Sequence, residues 1–196
     1  MPQCNNNKNH QQMPDNAEFE IRKAFIAIIE AEVTQTWQKS ISGVHAGEAT
    51  LLYKYSFHAS KTGKRLAAER WARTAKHLAR ALKQEAKISF LEPRLVDFPL
   101  LQCTSAEEYA LTEKRKMTVD LISSVRETVQ AKFNPIPDNM KRYLERAKLH
   151  MDALAETEHL HYVLVNERVN AGYEYGRVLE CLILAYEAEP NVKIAA

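Results

Sequence analysis

Glu156-Thr157-Glu158-His159-Leu160-His161 is the stretch on which the reading of this chain turns. It holds two overlapping Glu-x-x-His units, Glu156 with His159 and Glu158 with His161. A spacing of three places a carboxylate and an imidazole on one face of a helix. Helical bundles use such pairs, with single glutamates from neighbouring helices, to hold two iron or manganese ions. The stretch therefore predicts a helix, and asks whether other helices supply matching carboxylates.

Outward from it, the apolar period is helical throughout, and no strand pattern or internal repeat interrupts it. A first helix is expected from about Ala17 to Ser40, with Ile21, Phe25, Ile28, Ile29 and Val33 on one stripe. A second runs from Val44 to about His58, and Lys61-Thr62-Gly63-Lys64 forms a turn. The third, striped by Trp71, Ala75, Leu78 and Leu82, should end near Lys87, because Pro93 and Pro99 break the chain and leave an irregular link through Leu101. Ser105 reads as an N-cap with Glu108 in the capping-box position, and that helix runs to about Lys132, before Pro135 and Pro137. The last segment reads as one long helix from Asp138 to Glu187, kinked near Gly172. The fold class is all-α, with one domain over residues 17–188, a disordered tail over 1–16 and a short tail over 189–196.

Composition narrows the function. The 196 residues are 45% apolar and 27% charged, ordinary values for a globular protein, and the net charge of +2 gives no drive toward nucleic acid. Cys4, Cys103 and Cys181 lie far apart, which argues against a disulfide framework or a zinc cluster and for a reducing interior. No apolar run is long enough to span a bilayer and no signal peptide is visible. The expected location is cytoplasmic or membrane-peripheral within the cell. With five glycines in all, neither a nucleophile elbow nor a phosphate-cradling loop is present.

Helical phase then sorts the carboxylates. Glu48 shares a face with Val44, Leu51, Leu52 and Tyr55, and Glu107 falls on the stripe of Ala110, Leu111, Leu121, Ile122 and Val125. In the last segment Glu158 is central to the apolar stripe and His161 lies at its edge, whereas Glu156 and His159 point away. Buried carboxylates cost several kcal/mol unless paired or metal-bound, so metal ligation and neutralisation by Lys or Arg are the two readings of this set. The third helix has His77 but Thr74 where a second Glu-x-x-His would need its carboxylate, and His77 lies off the stripe, where a plain surface histidine would also lie. A site without that carboxylate would hold one metal, bind two weakly, recruit Glu69 or Glu32 instead, or stand empty as a degenerate site.

His45-Ala46-Gly47-Glu48, followed by Tyr53 and Tyr55, resembles the His-Ala-Gly-Glu metal-ligand motif of the demethoxyubiquinone hydroxylases. Those are ferritin-like di-iron monooxygenases of ubiquinone biosynthesis. Trp71 through His77-Leu78 looks like that family's second ligand segment, Ala106-Glu107-Glu108 like its third and Glu156-Thr157-Glu158-His159 like its fourth, with Ala171-Gly172-Tyr173 also similar. The resemblance spans about residues 41–188 and implies a ferritin-like four-helix bundle with an additional N-terminal helix. It further implies two iron ions, with manganese as the other candidate, held by Glu48, His77, Glu107, Glu156 and His159. Tyr55 and Tyr162 would be hydrogen-bond donors around them. The implied chemistry is oxygen-dependent hydroxylation of a small molecule, with peripheral membrane contact and homo-oligomerisation as expectations. Departures are Thr74, a longer segment between Glu107 and Glu156 and a reduced apolar linker. The related tRNA-hydroxylating di-iron family offers another alignment, with Glu158 and His161 as the pair, which agrees with helical phase.

The rival expectation is a metal-free helical bundle that works by interaction, through its amphipathic first helix or the basic strip Lys61-Thr62-Gly63-Lys64-Arg65.

Overall fold

A computed structural model describes residues 16–38, 46–95, 104–153 and 161–190. The described residues form helices α1 (Asn16–Gln38), α2 (Gly47–Lys61), α3 (Arg65–Leu95), α4 (Ser105–Lys132), α5 (Asp138–Asp152) and α6 (Tyr162–Ala188), with no strand among them. The expected all-α class holds. Nearly all of the two expected tails, residues 1–15 and 191–196, lies outside the described residues.

Alternate helices reverse direction. Glu20 meets Lys76 at 2.6 Å and Glu30 meets Lys83 at 2.8 Å, so α1 runs parallel to α3. His77 meets Glu174 and Lys87 meets Glu167, so α3 and α6 are antiparallel. Asn139 against Tyr186 and Tyr143 against Tyr175 make α5 antiparallel to α6. Lys114 with Asn170 and Lys132 with Glu187 make α4 parallel to α6. The centre of the molecule is the α3/α6 seam, with α1 and α2 packed on α3 and α4 and α5 packed on α6. Two antiparallel hairpins, α2/α3 and α5/α6, are thus joined by α4, which returns the chain so that α3 and α5 run the same way.

Local sequence sets the joints. Gly63 at φ +77° closes α2, with the Lys64 amide on the Ala59 carbonyl and the Gly63 amide on Ser60. That left-handed position suits glycine and turns the chain at once into α3. The buried side of α3 is rich in alanine (Ala67, Ala68, Ala72, Ala75, Ala79, Ala81), which lets three helices crowd around it. A Cβ on Gly176 would stand 2.8 Å from Leu121 Cδ2, so glycine sets how closely α4 approaches α6. At the opposite end from α6's start, Tyr55, Trp71, Tyr186 and Phe133 form a ring-to-ring column with centroids 5.7–5.9 Å apart.

Three expectations are corrected. α3 runs through Pro93 to Leu95 instead of ending near Lys87. Packing supplies what the proline removes: Ile88, Leu91 and Leu95 gather on Leu164, and Arg94 both donates to the Phe90 carbonyl and covers its ring. The capping box of α4 is one residue earlier than expected, with Thr104 as N-cap and Glu107 returning the bond. The last segment is two helices, not one kinked helix, because α5 and α6 bury their apolar sides against each other only by folding back. Gly172 is not a kink; Met151 and Thr118 side chains rest on it.

Candidate functional site

Where α2, α3, α5 and α6 meet, a polar cluster occupies the otherwise apolar interior. Glu85 is presented by α3 on the Leu78/Leu82 side, one turn beyond Leu82, and is only 8% exposed. From α5, Arg146 Nη1 donates to both Glu85 oxygens at 2.8 and 2.7 Å, and His150 Nε2 lies 3.3 Å from Oε1. From α6, the Tyr175 hydroxyl lies 3.4 Å from the same guanidinium, and its ring stacks between His150 (5.9 Å, 14°) and Tyr143 (6.1 Å, 27°). From α2, Glu48 accepts from Arg142 at 2.6 Å and bonds the Tyr143 hydroxyl. Two carboxylates and two guanidiniums therefore balance, the Glu85–Arg146 pair inside and the Glu48–Arg142 pair at the exposed edge.

The electrostatics follow from that pairing. Burial works to raise the Glu85 pKa, but the His150 hydrogen bond and the Arg146 charge outweigh it and hold the carboxyl below its ordinary value. Burial and then Glu85 push the Tyr175 hydroxyl well above its usual range, and burial and then Glu48 do the same to Tyr143. Both tyrosines stay protonated as donors. The Nδ1 atom of His150 is buried without a hydrogen-bond partner.

The sequence-expected ligands do not converge among the described residues. Glu48 joins the edge of this cluster through Arg142. His77 is buried, not on the surface, and its Nδ1 lies 2.6 Å from Glu174 in the α3/α6 seam. Glu107 is exposed, and its carboxylate is spent on the Thr104 cap. His161 is buried at the start of α6 with its own Nδ1 unpartnered, fourteen residues or about 21 Å of helix from Tyr175. Glu156, Glu158 and His159 lie outside the described residues. Thr74 is fully buried and donates to the Arg70 carbonyl, Glu69 pairs with Arg73, and Glu32 is exposed. Tyr55 packs its ring at a tilt against Trp71, and Tyr162 is half-buried as the first residue of α6.

As a di-metal site the described donors do not fit. The buried carboxylate carries a guanidinium on both oxygens, and no three His, Cys, Asp or Glu side chains gather where an ion could sit, among the described residues. Glu85, Arg146, His150, Tyr143 and Tyr175 are the residues that sequence reading missed. One signal was present: Glu85 stands seven residues after Leu78, on the same face. Arg146 and His150, four apart, share α5's face with Tyr143 and Ala147.

No protein family, curated protein or solved structure matches this chain. Among the described residues, no helix is long and apolar enough to cross a membrane.

Proposed function

We propose that the chain is a ferritin-like bundle whose mid-bundle site is closed by an internal cation, and that it works as a metal-free interaction protein. What supports the frame is the topology: two antiparallel hairpins, parallel α3 and α5, a linking α4 and an extra α1. The single observation that carries the function is Arg146 Nη1 on both oxygens of Glu85. In a di-metal bundle the inward carboxylates keep lone pairs for ions. Here the guanidinium takes that place, and a buried pair of this kind fixes how helices register more than it adds stability.

The test is metal content. Protein expressed with added iron should purify without stoichiometric iron, and ferrous iron should leave its melting temperature unchanged. Two iron equivalents per chain, lost on Glu85→Ala, would overturn the proposal.

One observation favours the second reading, a di-iron, oxygen-dependent hydroxylase of the demethoxyubiquinone hydroxylase kind. His161, an expected ligand, is buried with Nδ1 unpartnered. Iron retained by the native chain and lost on His161→Ala, but kept in Glu85→Ala, would select this reading.

A further inference from the structure

Helix α1 is apolar on two faces of different character. The side on α3 is built mainly from small residues, Ala17, Ala24, Ala27 and Ala31, with Ile21 and Ile28. The bulky residues are largely exposed: Phe19 44%, Phe25 51% with its ring also against Tyr53, Ile26 56%, Ile29 43%, Val33 53% and Trp37 84%. Phe19, Ile26 and Val33 repeat at seven, with Ile29 at the complementary position, which is the spacing of a coiled-coil seam. Arg22 and Thr36 hold the other two complementary positions, and Arg22 pairs with Glu18 at 2.5 Å on the same side.

We propose that this outer face pairs with the same face of a second copy, centred on Ile26. Area supports a self-complementary partner. The six side chains leave roughly 600 Å² open per copy, so pairing that covers them completely removes roughly 1,200 Å², the lower bound of a stable specific interface. An isologous pair is also the commonest closed symmetry. The inference names the partner for the interaction reading and rests on it, but its test is independent of iron.

Sedimentation of the full chain at micromolar concentrations should show a dimer. Ile26→Glu and Val33→Glu should each weaken it at least tenfold with helical circular dichroism unchanged, while Leu66→Glu, on an exposed part of α3, should leave it intact. In a Cys4→Ser, Cys103→Ser chain, a short bismaleimide should link Ile26→Cys to itself. A monomer at every concentration, or a dimer indifferent to both glutamate variants, overturns the proposal. A monomer that instead binds anionic vesicles through Ile26 overturns it and assigns the face to a membrane.

Discussion

Arg146 Nη1 sits 2.7 and 2.8 Å from the two carboxylate oxygens of Glu85, with Tyr175 and His150 closing the other sides. One guanidinium thus ties α5 to α3 across the interior, although the backbones of those helices are held mainly through their shared neighbour α6. The pair is a register device whose worth shows when half of it is removed.

Truncating either partner leaves the other charge buried. Arg146→Ala or Glu85→Ala should cost about 3–5 kcal/mol, whereas replacing both by apolar residues of similar volume should cost much less. A double-mutant cycle by urea unfolding measures the coupling; two additive single losses would show that the pair is not coupled.

Acid should weaken the fold through the same carboxylate. The Glu85 pKa is lowered from 4.5 in the folded state: burial opposes this, and His150 and Arg146 prevail. A depressed folded pKa contributes stability that is complete above the unfolded value and lost as pH falls through the folded one. Glu20, against Lys76, and Glu30, against Lys83, act in the same sense. The stability gap between native protein and Glu85→Gln should therefore be full at pH 7 and should narrow below about pH 4.5. A gap constant from pH 7 to pH 3 would refute the linkage.

Restoring the carboxylate that the metal motif lacks should not restore a site. Thr74 is fully buried and bonds the Arg70 carbonyl. Thr74→Glu should lower stability by several kcal/mol, the usual penalty for an unpaired buried ion, without gain of iron. Iron uptake with a raised melting temperature would contradict this and favour the di-iron reading.

Gly176 lets α4 lie close on α6. An added Cβ meets Leu121 at 2.8 Å and 3.0 Å, so Gly176→Ala should lose about 1 kcal/mol despite alanine's better helix propensity. Leu121→Ala in the same chain should recover part of that loss. No recovery would place the clash elsewhere.

Cys181 is buried on α6, and its thiol is pushed up to about 11, by burial first and then by Glu180. Thiolate is the reactive form, so Cys181 should resist alkylation at pH 8 until the chain unfolds. The measurement is iodoacetamide labelling of a Cys4→Ser, Cys103→Ser chain with and without urea; fast labelling of the folded protein would count against it.

Much of the fold was legible in the chain. The Lys61–Lys64 turn, the start of α4 to within one residue and its end before Pro135 follow from local chemistry, because turns and caps are satisfied by neighbours in sequence. The passage of α3 through Pro93 was not legible, since it depends on Leu164 and Glu92's pairing with Arg168 far along the chain. Phase placed Glu48 near the interior but misplaced Glu107, whose stripe is real only for the part of α4 that another helix covers.

Sequence by itself determined that the chain is helical, that Glu48 stands at the inward start of α2, and that glycine closes that helix. Only the tertiary structure decided which charges meet. Glu85 and Arg146 are sixty-one residues apart, and periodicity gives each helix a buried side without saying which other helix faces it. Their pairing exists because folding α5 back on α6 aims its arginine at α3. The same packing chose α1's alanines for the inside, with Ile21 and Ile28 among them, because α3 leaves room mainly for small residues, and left the larger ones outside.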